Sequence, residues 1–258
     1  MKKRNFCGLI SVFILLLITP FTISAKQPTL PPEIELLVNA NRYTEDTNII
    51  INQIVHDAAL CGIRLNVEIL DPYDLAWRVY FGDFEMVMFN TIAWYQPDSF
   101  DTILWLLEFY FGDFNWWGYY NPEIKTKINE MELLYIGGLY DEATVVFHEI
   151  ELLIYEGQYY PAIGYHFDNT LIHTHLLVIN NNLNNLFDIA VRKALSFLID
   201  RECYIPLIQT TYSEIIYQTS HIFGWSQYHD TSLPDIPHSI GRATSTLAKA
   251  GYRPCRIK

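Results

Sequence analysis

Four charged residues late in the chain fall at spacings that could support chemistry: Asp188, Arg192, Asp200 and Arg201. Asp188 and Arg192 stand four apart, one above the other on a helix face, which permits an ion pair. Surface pairs of this kind contribute only about 0–1 kcal/mol, so these four residues are read as structural. His173 and His175 are two apart, which puts both on one face of a strand. Two imidazoles could hold a metal ion, but the sequence shows no third ligand at a sensible spacing. No metal or other cofactor is therefore expected. Carboxylates are plentiful, yet a pair such as Glu149 and Glu151 points to different helix faces, whereas glycoside hydrolysis needs two that face each other. A glycine-rich phosphate loop, a nucleophile elbow and a metalloprotease HExxH pair are all missing. Nothing here calls for an enzyme.

Aromatic residues offer a different chemistry, which is contact. Between Thr91 and Tyr120 they crowd together as Trp94, Tyr95, Trp105, Phe109, Tyr110, Trp116, Trp117, Tyr119 and Tyr120. In a cleft, such rings give a ligand a large contact area and tolerate varied partners. The same rings serve equally well as core. Trp94 and Trp117 are expected to be exposed, and Trp94, Tyr95, Trp116, Trp117 and Tyr119 are the candidate ligand contacts.

The elements that must position these residues follow from hydrophobic periodicity. Ile34 to Asn39 reads as a short buried strand, and Thr47 to Cys61 as a helix ended by Gly62. In Ile63 to Leu70, Ile63, Leu65, Val67 and Ile69 alternate inward, completing a βαβ unit with parallel strands. Pro72 to Tyr80 reads as a helix closed by Gly82, and Phe84 to Asn90 as a third strand. Within the aromatic segment, Phe100 to Phe109 is helical and Gly118 to Pro122 a turn. Two helices, Glu123 to Tyr135 and Tyr140 to Glu156, are joined by Gly137 and Gly138. Strands follow at Tyr160 to Phe167 and Leu171 to Asn180. Asp188 then caps a helix over Ile189 to Leu198, as an acidic N-terminus should. A further helix starts at Cys203, a loop holds Trp225, and Ser239 to Ala250 forms the last helix, ended by Gly251.

The 258 residues suffice for a real core, and with half of them apolar and 15% aromatic the chain is no candidate for disorder. A net charge of −12 argues against a nucleic-acid partner, which would want a basic face. Lys2, Lys3 and Arg4 precede an apolar run from Leu9 to Ile18, then Pro20 and small residues ending at Ala25. That is the tripartite pattern of an export signal, residues 1–25, and the run is shorter than the roughly 20 residues a membrane span prefers. An uncleaved signal would instead hold the chain at the membrane. Residues 26–33 read as a Pro-rich linker. Cys7 precedes the apolar core of the signal, so lipidation has no support, and Cys61, Cys203 and Cys255 offer neither a zinc spacing nor a disulfide framework. Cys61 and Cys203 sit in apolar helical patterns and are expected as small core residues.

Several segments together resemble the peptide/nickel type of extracellular solute-binding protein (family 5) that serves ABC importers. Asp188 to Glu202 (DIAVRKALSFLIDRE) is similar to that family's signature helix, and Ala248 to Tyr252 (AKAGY) to the segment that accompanies it. Leu36 to Asn39 with Gly62 and Ile63 looks like its βαβ unit, Tyr73 to Met86 like its GDF segment, and Asn115 to Glu123 (NWWGYYNPE) like its N-P-E segment. Pro97 and Asp98 stand where a D-P pair opens the loop over the ligand, which adds Asp98 to the candidate ligand contacts. Where peptide binders of the family carry an aspartate that holds the ligand's ammonium, this chain has Ala93.

The resemblance implies an α/β fold: a single type II periplasmic-binding-protein-like lobe, with a mixed, mostly parallel sheet flanked by helices. It covers one lobe only, in circularly permuted order. Residues 34–170 match the later part of the family lobe and 171–258 the earlier part. The implied function is non-enzymatic capture of a small molecule or peptide outside the cytoplasm, periplasmic or extracellular, with ABC permease subunits or a separate partner lobe as protein partners. The alternative is a remnant or interaction module that closes on no ligand.

Overall fold

A computed structural model describes residues 33–43, 45–93, 99–112, 115, 117–157, 162–168, 171–180, 188–203 and 226–253; for Arg42, Asp46 and residues 89–93, 162–168 and 171–176 it describes the backbone alone. The expected signal and most of the linker, Cys255 and Trp225 lie outside this set.

Apolar residues of the first strand set the plan. Strand β1 (Glu33–Asn39) buries Ile34, Leu36, Leu37 and Val38. A strand whose consecutive residues are all apolar must be covered on both faces, because successive side chains point to opposite sides. Helix α1 (Glu45–Leu60) leads to β2 (Arg64–Leu70), and α2 (Pro72–Tyr80) leads to β3 (Met86–Ala93). After α3 (Phe100–Phe111), α4 (Pro122–Ile136) and α5 (Tyr140–Gly157) come β4 (Ala162–Asp168) and β5 (Leu171–Ile179), then α6 (Ile189–Phe197) and α7 (Ile240–Lys249). The sheet has five strands in the order β2-β1-β3-β5-β4.

The chain is thus α/β with a mixed sheet, but not a mostly parallel one. β1 runs parallel to β2 and to β3, while β5 is antiparallel to both β3 and β4. The reason is local: β4 ends at Asp168 and β5 begins at Leu171, and so short a connection can join only antiparallel neighbours.

Two cores lie on the two faces. Leu37, Val87 and Val178 meet Leu75 and Val79 of α2 together with residues of α3, α4 and α5. Leu36, Val38, Met86, Leu177 and Ile179 meet Ile50, Ile51 and Ile54 of α1 with Val191 and Leu195 of α6 and Leu247 of α7. Helix starts carry the residues that satisfy free N–H groups: Asp71 before Pro72, Ser99, Asn121 before Pro122, Asp188 and Ser239 all accept from first-turn amides. Gly62, at φ 86°, ends α1 in the left-handed conformation that a side chain would resist.

Two expectations about burial fail. On β2 only Leu65 is buried, whereas Val67 and Ile69 are 38% and 45% exposed. β2 is an edge strand, and of its residues only Leu65 joins the core under α1. Cys203 is exposed and not a core residue, while Cys61 is buried as expected. Helical backbone at this point covers residues 201–203, just before residues that lie outside the described set.

The two ends of the fold are tied by polar groups. Arg78 on α2 binds Glu35 of β1 at 2.7 Å and Glu68 of β2 at 2.9 Å, and its Nε donates to the Asp83 carbonyl. Fully buried Asn180, just after β5, donates from Nδ2 to the carbonyls of Gly82 and Phe84.

Candidate functional site

The connections of β1 and β3 make a topological switch point. α1, leaving β1, packs on one face of the sheet, and α2, leaving β2, packs on the other. β1 and β3 are neighbours, so the chain reverses its winding between them. In open α/β sheets, ligands bind outside the carboxyl ends of the strands at such a point. Here β1 pairs with β3 only as far as Val38 opposite Met88, while β3 continues against β5 to Ala93. Beyond Asn39 the chain turns away in a short 3-10 helix, Ala40–Arg42, closed by the Asn39 side chain, which accepts from the amide of Asn41. Tyr43 donates its hydroxyl to Asn48 at 2.6 Å and pins the start of α1.

The sequence-predicted ligand contacts fare unequally. Trp94, Tyr95, Asp98 and Trp116 lie outside the described residues. Trp117 is not exposed: it is 1% accessible, set edge-on against Phe84 at 5.9 Å and Phe109 at 6.1 Å. Tyr119 is equally buried, and its hydroxyl accepts from the Ile179 amide at 3.0 Å. Asn115 organises both, accepting from the amides of Trp117 and Tyr119 and donating to the Tyr119 carbonyl. The two rings are pegs between α3 and the sheet.

The four charged candidates fall into two groups, Asp188 with Arg192 and Asp200 with Arg201. Asp188 caps α6 with Oδ1 and accepts the Tyr252 hydroxyl on Oδ2 at 3.0 Å. Its carboxylate is committed there, and Arg192 donates from Nε to the Gly157 carbonyl at 3.1 Å. The i,i+4 spacing places both residues on α6 and its cap. Burial and the Asp188 carboxylate push the Tyr252 phenol up to about 12. The phenol thus ionises later in the folded chain than in the unfolded one, so its stabilising share is whole below about pH 10 and is lost as pH rises towards 12. Alkaline unfolding of Tyr252→Phe is therefore expected to fall off less steeply across that window, as read by denaturant titration at stepped pH.

Asp200 and Arg201 border a cavity of about 340 Å³ with Glu202, Asp235 and His238. A neighbouring cavity of about 220 Å³, flanked by Tyr155, Lys193 and Arg242, shares the Asp235 to Pro237 wall. Buried Arg201 donates from Nη1 to the carbonyls of Ser196 and Ile236 and so anchors that wall. His238 is bound at 3.0 Å through Nε2 by the buried carboxylate of Asp57, whose other oxygen accepts from Gln53, and its Nδ1 lies 3.9 Å from Asp200. A carboxylate on one ring nitrogen fixes the tautomer and aims the other, which is half of an acid–base device. Neither described cysteine is primed as a nucleophile. Asp200, hydrogen-bonded to the Cys203 thiol, raises its pKa, and burial raises that of Cys61. A reactive cysteine requires a shift in the other direction.

Sequence reasoning passed over these pairings, and over Glu151, which binds His229 Nδ1 at 2.6 Å and the Asp230 amide at 2.8 Å. Partners 181 and 78 residues apart leave no local signature. Among the described side chains, no group of three His, Cys, Asp or Glu could hold a metal ion. No described helix is long and apolar enough to cross a membrane. No protein-family model, curated protein or solved structure matches the chain.

Proposed function

We propose that this chain is an exported, non-catalytic binding lobe of the peptide/nickel-type solute-binding class, with a type II periplasmic-binding-protein-like fold. It captures a small solute, a peptide by preference, for an ABC importer, with permease subunits or a separate lobe as partners. The observation that carries this reading is the reversal of winding between β1 and β3, at whose carboxyl ends open α/β sheets hold ligands. In sequence, Trp94, Tyr95 and Asp98 come just after β3, with residue types suited to a peptide.

The test is thermal unfolding of the purified chain against a library of short peptides. A ligand at one hundred times its dissociation constant adds about 2.7 kcal/mol to stability. No shift with any peptide would remove the receptor reading.

A second reading has its own observation. On α2 and the turn after it, Tyr73, Trp77, Tyr80 and Phe81 are all exposed, with Trp77 stacked on Phe81 at 5.4 Å. An uncovered aromatic face suits an interaction module that meets another protein and closes on no ligand. A reading frame beside this gene encoding the complementary lobe would favour it.

A further inference from the structure

Strand β2 ends one side of the sheet. Among the described strands its neighbour is β1, paired with it from Arg64 to Leu70. The backbone N–H and C=O groups that point away from β1 form a template for a further strand. Arg64, Asn66, Val67, Glu68 and Ile69 are all exposed along it, two of them large and apolar.

The residue order of β2, RLNVEIL, selects the strand that fits. Alternation puts Arg64, Asn66 and Glu68 on one face and Leu65, Val67 and Ile69 on the other. Lay two copies of β2 antiparallel about a two-fold axis at Asn66, and Arg64 of each stands opposite Glu68 of the other. On the second face Leu65 meets Val67, and Ile69 comes opposite Ile63. Opposite charges and apolar side chains directly across an antiparallel pair are both favourable. Other axes do worse. At Glu68 the axis sets two carboxylates face to face, and at Leu65 or Val67 it leaves both charges without an opposite one. Glu68 is also held from its own chain by Arg78 at 2.9 Å, which fixes the carboxylate beside the edge and leaves it 46% exposed to a second cation.

From this self-complementary edge we infer that β2 is an interface between two copies of this chain, joined antiparallel in the Asn66 register. A two-fold contact of this kind uses the same edge of both copies and is closed, so it yields a dimer and no fibre. The strand pair is short beside the roughly 1,200–2,000 Å² that stable interfaces bury, so association should depend on concentration. The inference rests on neither reading of the function.

The test is sedimentation velocity of the purified chain over a concentration series. The weight-average mass is expected to climb from 30.2 kDa towards twice that value. Arg64→Glu exchanges two attractive pairs for two repulsive ones and should weaken association by about ten-fold or more. Val67→Lys adds the charge that blunts natural edge strands and should leave monomers. At the axis, opposed Cα atoms are about 4.5–5.5 Å apart, inside the span that a disulfide bridges. Asn66→Cys should therefore cross-link two chains under mild oxidation, in excess of any dimer that the unaltered chain forms through its own cysteines. Circular dichroism of each variant separates a lost contact from a lost fold. A chain that stays monomeric throughout, dimers that withstand both Arg64→Glu and Val67→Lys, or dimers that Asn66→Cys does not cross-link overturn the inference. A failed peptide library leaves these outcomes untouched.

Discussion

Trp117→Ala is expected to cost about 3–5 kcal/mol of stability, the range for removing a large ring from a packed core. The ring is 1% accessible and fixed between Phe84 and Phe109, so alanine leaves a cavity that α3 and the sheet cannot fully close. For a chain of this size the melting temperature should fall by roughly 10 °C. Urea denaturation should show a lower midpoint with an unchanged slope, the mark of lost stability in a two-state transition. The result also decides between two roles. A tryptophan lining the ligand would change affinity and leave the midpoint near its original value. Trp117 should do the reverse.

Glu151→Ala should remove about 3 kcal/mol, since the carboxylate is 1% accessible and both its oxygens are engaged. One oxygen holds His229 and the other the Asp230 amide, tying α5 to the segment that begins at Ser226. Glu151→Gln keeps one carbonyl acceptor and should cost about half as much. Hydrogen exchange localises the effect: the Asp230 amide is expected to lose protection in Glu151→Ala, in excess of the global change. Equal protection in the two proteins would show that the clamp is not formed.

Much of the fold was legible because its signals are local. Helix α2 was read as Pro72 to Tyr80, and the structure places it there, since Asp71, Pro72 and Gly82 mark both ends within a dozen residues. β1 needed only its run of apolar residues, and the cap of α6 only Asp188. Burial was legible where one element decides it and illegible where several must. Trp117 looked like a ligand contact because its cover comes from Phe84 and Phe109 and its neighbour Tyr119 is held by Ile179, all set by how strands assemble. Val67 and Ile69 alternate as a buried face should, but alternation does not reveal which strand lies at an edge. The candidate site was the least legible part. Asp57 and His238 are 181 residues apart, and Glu151 and His229 are 78 apart.

Asn180 has a consequence for how the chain acquires this shape. Its side chain closes on Gly82, 98 residues earlier, so the joint between β3 and β5 encloses α3, α4 and α5. The first βαβαβ segment can form from contacts between near neighbours. Joining β5 to β3 instead must overcome the closure entropy of a long loop before any hydrogen bond rewards it. The folded helices inside that loop shorten the flexible path, and the join then advances by adding register pairs from Met86 with Ile179 outwards. The long-range join of β5 to β3 is therefore expected to be the slow step of folding. Substitution of Asn180 is then expected to slow refolding, as stopped-flow fluorescence would read.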